Sequence, residues 1–150
     1  FRGTRATLML PPTNSVDLAQ VHLQEMPTGG RTPLSAGLFK ALEVIQTEKI
    51  KDRDVLPLLV LLSDGRGNVA LGPDSPLDEA YAVAGIIGND KIPSVVVDTE
   101  SGYIRLGMVQ PVAEAMGAQY LKLEDLRADS LAEAVRMRMP IVGEAPPHVD

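Results

Sequence analysis

Val55-Leu56-Pro57-Leu58-Leu59-Val60-Leu61-Leu62, closed by Ser63-Asp64-Gly65, is the stretch that decides the fold. It carries no polar side chain before Ser63. A strand without polar alternation reads as covered on both faces, the condition of a central strand in a parallel sheet. Asp and Gly straight after it end the strand in a turn. Immediately upstream, Thr32-Pro33 marks a helix start, because a hydroxyl suits the cap and Pro suits the first helical position. Leu34, Leu38, Ala41, Leu42 and Ile45 then recur at helical spacing as its buried stripe, with Lys49, Lys51 and Arg53 near its end, where the helix dipole favours cations.

The same alternation continues in both directions. Ser75-Pro76-Leu77-Asp78 has the reciprocal pattern of a capping box and predicts a helix to about Gly88. Ile92 to Val97 reads as the next strand, ending at Asp98. A helix from Val109 to Met116 stopped by Gly117, a short strand from Gln119 to Leu123 and a last helix from Ser130 to Met139 follow. Toward the N-terminus, Ala6 to Leu10 reads as a strand end closed by Pro11-Pro12. Asn14 or Ser15 caps a helix whose apolar positions are Val16, Ala19, Leu23 and Met26. Strand-helix repetition of this kind predicts an α/β fold, an open and mostly parallel sheet with helices on both faces.

Composition narrows the function. Of 150 residues, 45% are hydrophobic and 23% charged, the balance of a globular domain. No apolar run approaches the length of a membrane span. Cysteine is absent, which excludes disulfides and thiolate metal sites. A net charge of −6, with an aromatic fraction of 3% and no Trp, gives nucleic acid neither a basic stripe nor stacking surfaces. His22 and His148 are too isolated to suggest zinc. A phosphate-binding loop of the Gly-x-x-x-x-Gly-Lys-Ser/Thr kind and a Gly-x-Ser-x-Gly elbow are both missing from the sequence. Gly65-Arg66-Gly67-Asn68-Val69-Ala70 matches a relaxed dinucleotide fingerprint. However, Gly72, Pro73 and Pro76 delay the helix that must meet the pyrophosphate, and Asp64 sets a negative charge beside it.

Ligands of open α/β sheets bind at the carboxyl ends of the strands. Thr32, Asp64 and Asp98 fall at such places. Asp64 and Thr32 offer hard oxygens suited to Mg²⁺, which takes one or two carboxylates and keeps several waters. Each also has a plainer reading: Thr32 as a helix cap and Asp64 as a turn former. For Asp98 the turn or cap is the better reading. Arg2, Arg5, Arg31 and Arg66 are candidates to contact partner carboxylates, since a guanidinium forks onto two oxygens.

Met26-Pro27-Thr28-Gly29-Gly30-Arg31-Thr32-Pro33-Leu34 with Gly37-Leu38, Phe1-Arg2-Gly3, Leu10-Pro11-Pro12-Thr13-Asn14-Ser15 and Ser63-Asp64-Gly65-Arg66-Gly67-Asn68-Val69 together resemble the magnesium-chelatase D subunit family. The resemblance runs from about Phe1 to Val135, with the motifs in family order. It implies a von Willebrand A (integrin I) fold, Rossmann-like, whose metal-ion-dependent adhesion site holds Mg²⁺ through three loops. Thr32 matches the second loop and Asp64 the third. The first, an Asp-x-Ser-x-Ser motif, has no match: the sole Asp before Thr32 is Asp17, followed by Leu18-Ala19. Gly67 also departs from the Ala expected after Asp-Gly-Arg.

On this resemblance, residues 1–139 form a partial von Willebrand A domain whose first strand and helix are missing, and 140–150 form a tail. The implied function is a metal-dependent docking domain, with no catalytic residues of its own. It would serve a chelatase that inserts Mg²⁺ into protoporphyrin IX at the expense of ATP, in chlorophyll or bacteriochlorophyll biosynthesis. The implied partners are an AAA+ ATPase subunit, further copies in a ring and a large porphyrin-binding subunit, in the cytoplasm or the plastid stroma. The competing reading is an adhesion module of a cobalt chelatase or another AAA+-associated system.

Overall fold

The computed structural model describes residues 4–25, 32–66, 72–101 and 106–125, with 133, 136 and 137. Four helices and three strands alternate along it: α1 (Val16–Gln24), α2 (Leu34–Lys51), β1 (Leu59–Ser63), α3 (Pro76–Asn89), β2 (Ser94–Asp98), α4 (Val109–Ala115) and β3 (Gln119–Lys122), with a turn of 3₁₀ helix at Leu123–Asp125. The strands form one open parallel sheet in the order β1-β2-β3, with Leu61, Val96 and Tyr120 in one row across it. The fold is therefore α/β, as the alternation of elements predicts. Among the described residues, no helix is long and apolar enough to cross a membrane.

The core lies between this sheet and α2, α3 and α4. Leu34, Leu38 and Leu42 of α2 meet Ala80, Ala84 and Ile87 of α3, Val109, Val112 and Ala113 of α4, Met116 just beyond it, and Leu61 and Val96 of the sheet. Successive strand residues face opposite ways, so Val95 and Val97 point away from this cluster, yet they too are fully buried. β2 is thus covered on both faces. Each of its three valines removed from water contributes about 1.5–3 kcal/mol.

β1 differs from its reading in sequence. Its exposure alternates, with Val60 at 37% and Leu62 at 58%. Among the described residues β1 has a strand partner on one side only, so the central strand is β2, and the β1 face that carries Val60 and Leu62 stays open. Its ladder also begins later than predicted, at Leu59; Pro57, which has no N–H to donate, lies before it. The strand expected over Ala6 to Leu10 is not formed; a single bridge residue, Arg5, stands there. Thr7, Leu8 and Met9 instead run beside α2, where with Ala41, Val44, Ile45, Leu58 and Leu59 they line an apolar groove of about 370 Å³.

Local signals fixed the helix starts. Ser75 caps α3: its Oγ accepts from the Asp78 N–H at 3.2 Å and donates to Asp78 Oδ2 at 2.6 Å. Ser15 accepts from the Leu18 N–H in the same way at α1. Of the apolar positions read for α1, Val16 is 77% exposed and Ala19 is partly buried, while Met26 and the Leu23 side chain lie outside the described residues. In α2 the cap position falls on Pro33, one residue beyond the predicted Thr32. The predicted helix over Ser130 to Met139, apart from positions 133, 136 and 137, and the tail over 140–150 lie outside the described residues.

Candidate functional site

The loops that follow β1 and β2 leave the same end of the sheet side by side. Ser63 and Asp98, the last residues of the two strands, are register partners, and the Thr99 N–H donates to the Ser63 carbonyl at 3.0 Å. Ser63 Oγ accepts from the Gly65 N–H at 3.0 Å, tightening the turn that carries Asp64. Gly65 has φ +74°, and a Cβ on it would stand 2.8 Å from Met108 Cβ, Val109 Cγ2 and Val109 N. The backbone beside Asp64 therefore lies directly against the start of α4, and only glycine permits that approach.

Asp64 forms the turn that its plainer reading predicts. Its Oδ1 accepts from the Arg66 N–H at 3.0 Å, the hydrogen bond of an Asx turn. Its Oδ2 lies 3.7 Å from Arg66 Nε, and the two side chains are 39% and 55% exposed. A pair so open to water contributes at most about 1 kcal/mol, which leaves this carboxylate available to a stronger cation. Thr32 is partly exposed, two residues before α2, and its carbonyl accepts from the Leu34 N–H at 3.0 Å. Arg31, Gly29 and Gly30 lie outside the described residues, as do Gly67, Asn68, Val69 and Arg2. Arg5 is exposed at the N-terminal bridge, on the segment that runs beside α2.

The neighbouring acids serve their own loop. Asp98 is 4% exposed; its Oδ1 accepts from the Glu100 N–H at 2.8 Å and its Oδ2 from the Tyr120 hydroxyl at 2.5 Å. It acts as the turn former it was read to be. Glu100, 6% exposed, takes the Leu106 N–H on Oε1 at 2.7 Å and the Gly107 N–H on Oε2 at 3.1 Å, closing the loop between β2 and α4. Neither Glu100 nor Tyr120 stands out in the sequence, because their partners are a backbone segment and a side chain 22 residues away.

A Mg²⁺ ion asks for hard oxygen ligands and keeps much of its water. The half-exposed Asp64 carboxylate and the Thr32 hydroxyl have the right chemistry for two of its positions. Among the described residues no three His, Cys, Asp or Glu side chains gather closely enough to hold an ion. The remaining positions would fall to water or to another loop. Every buried polar side chain among the described residues has a partner, so no orphaned group competes for this role.

A three-stranded parallel sheet with its polar loops gathered at the strand carboxyl ends defines the class, an open α/β domain. The chain belongs to the family of an uncharacterized protein of Methanocaldococcus jannaschii, to which it is 34% identical over 134 residues, covering 89% of this chain and 76% of that protein. It is 43% identical over 136 residues to an uncharacterized protein of Mycobacterium tuberculosis, matching 91% of this chain but 21% of that protein. It is 35% identical over 145 residues to the magnesium-chelatase 67 kDa subunit of Chlorobaculum parvum, matching 89% of this chain and 23% of that subunit. The chain thus spans about a fifth of the length of these two longer relatives. No family model matches it. Among solved structures, the conserved hypothetical protein BatB of Bacteroides thetaiotaomicron superposes with a TM-score of 0.60 over 90% of this chain and 74% of that one, at 15% identity, a likeness of fold alone.

Proposed function

We propose that this chain is a von Willebrand A-type docking domain of a magnesium-chelatase D subunit, in which Thr32 and Asp64 hold Mg²⁺ and the metal accepts a carboxylate from a partner. The observation that carries this reading is Asp64 itself. It is a half-exposed carboxylate on a glycine-fixed turn at the carboxyl end of β1, inside a segment that matches magnesium-chelatase subunits along nearly its whole length. Bound Mg²⁺ would supply a Lewis-acidic seat for the partner's carboxylate. This chain's own task is to present Asp64 and Thr32 and to keep the turn rigid. Arg66, exposed beside Asp64, would add charge complementarity to an acidic partner, and Arg31 would do the same from the segment before Thr32.

In this reading the partners are the AAA+ ATPase subunit, further copies in a ring and the porphyrin-binding subunit, in the cytoplasm or the plastid stroma. The ligase activity belongs to the complex. The free edge of β1, with Val60 and Leu62 exposed, fits the expectation that a further strand of the longer polypeptide pairs there and brings the remaining metal ligands. A second reading is the same module serving a cobalt chelatase or another AAA+-associated system; the 43% identical mycobacterial protein carries no chelatase name.

The test is Mg²⁺-dependent capture of the AAA+ ATPase subunit by the natural full-length polypeptide, wild type against Asp64→Ala. Capture should depend on Mg²⁺ and be lost in the variant. Capture that is unchanged by the substitution, or indifferent to Mg²⁺, would sink the metal-docking role.

A further inference from the structure

Glu79 occupies the first turn of α3, away from both candidate ligands in sequence, yet it touches the elements that carry them. Its Oε2 accepts from Ser35 Oγ at 3.2 Å, and its Oε1 accepts from the Gly72 N–H at 2.5 Å. Ser35 is fully buried in the first turn of α2, three residues after Thr32. Gly72 is where the described chain resumes after the loop that begins at Asp64. One carboxylate thus fastens the end of the Asp64 loop to the start of the Thr32 helix. Both hydrogen bonds go to an ionised acceptor, the stronger class of such bonds.

α3 presents this side chain rigidly. The Ser75 cap and Pro76 fix its first turn, and Ala80 and Ala84 seat the helix in the core. Packing between α2 and α3 sets the distance that Glu79 spans. Its neighbour Asp78 is occupied with the Ser75 cap, which separates the two acids' tasks. The helix dipole favours an acid in this first turn, but Glu79 is turned to Ser35 and Gly72 rather than to its own helix.

We propose that Glu79 is a positioning residue, a clasp that holds the Asp64 loop in register with Thr32 so that both oxygens face one cation. The proposal rests on the metal-docking reading, and it makes Glu79 an outer-shell group rather than a ligand of the ion. Groups of this outer shell typically change metal affinity by about 10–100-fold when removed.

The experiment uses the natural full-length polypeptide as wild type, Glu79→Gln, Ser35→Ala and Asp64→Ala. Mg²⁺ affinity is measured by calorimetry, and amide exchange at Gly72 and across 64–66 is followed without metal. Glu79→Gln should weaken Mg²⁺ roughly 10-fold or more and speed exchange at Gly72. Ser35→Ala, which removes one anchor, should do both to a lesser degree while the core stays folded. Wild-type affinity in Glu79→Gln, or unchanged exchange at Gly72, overturns the clasp. Absence of any Mg²⁺ binding that depends on Asp64 in the wild type overturns the docking reading instead, and the clasp as a metal-positioning device falls with it. A purely structural role would lower metal-free melting yet leave the affinity of the folded protein untouched, which also counts against the proposal.

Discussion

Gly65→Ala tests how tightly the Asp64 turn is built against α4, and three glycines allow its two costs to be separated. Gly65, Gly107 and Gly117 all have positive φ, at +74°, +62° and +60°. A Cβ in this left-handed region costs about 1–2 kcal/mol. At Gly107 and Gly117 it would meet nothing within 4 Å. At Gly65 it would also stand 2.8 Å from Met108 Cβ, Val109 Cγ2 and Val109 N, two of which are fixed to the backbone. Such overpacking adds about 1–3 kcal/mol. Ala also restricts the unfolded chain, but equally in all three variants, so this term cancels between them. Gly107→Ala and Gly117→Ala should therefore each cost about 1–2 kcal/mol, and Gly65→Ala about 2–5 kcal/mol, a large part of a typical domain's stability. Equilibrium urea unfolding of the three variants measures this directly. A Gly65→Ala variant no less stable than Gly117→Ala would refute the close contact between the Asp64 turn and α4.

Two glycines of α3 should respond with opposite signs. Gly85→Ala meets open space in a helix interior and should stabilise by about 0.5–1 kcal/mol, whereas Gly88→Ala presses a methyl onto the Ala115 carbonyl oxygen and should destabilise by about 1–3 kcal/mol; thermal melting distinguishes the two. Ser75→Ala removes the α3 cap and should cost about 1 kcal/mol by denaturant titration, with no loss if Asp78 alone stabilises the first turn. Leu62→Lys should change stability by no more than about 0.5 kcal/mol in denaturant titration, because Leu62 faces solvent; a loss of about 2 kcal/mol or more would show that this face of β1 is covered.

Where the sequence was legible, the signal was local. Ser75, Pro76 and Asp78 mark the start of α3 within four residues, and the apolar spacing of Leu34, Leu38 and Leu42 is the face that α2 buries. Ser94–Asp98 could be read as a buried strand for a different reason: Val95, Val96 and Val97 leave no face polar. The same logic misjudged β1, because an apolar run says that both faces can be covered and not that both are. Coverage is set by neighbours distant in sequence, and so is pairing, which is why Ala6 to Leu10 shows no strand. The chemistry divides in the same way. Asp64 and Asp98 could be found from their places at strand ends. Glu79, Glu100 and Tyr120 could not, since a carboxylate that accepts from Ser35, or from the N–H groups of Leu106 and Gly107, leaves no spacing to read.

The exposed side of β1 and the position of Asp64 belong to one problem. Proteins blunt their sheet edges with charges, prolines or bulges. Leu59–Ser63 has none of these, and Pro57 stands two residues before the ladder begins. Beside this edge, Thr7, Leu8 and Met9 line the apolar groove together with Ala41, Val44 and Ile45 of α2 and with Leu58 and Leu59. A strand paired there in the parallel sense would end level with Ser63, and its following loop would emerge beside Asp64. On the metal-docking reading proposed above, the open edge of β1 is where the cation's missing oxygens would come from. Folding of the edge and completion of the site are in this view a single event, and Mg²⁺ would bind only where the edge strand is in place.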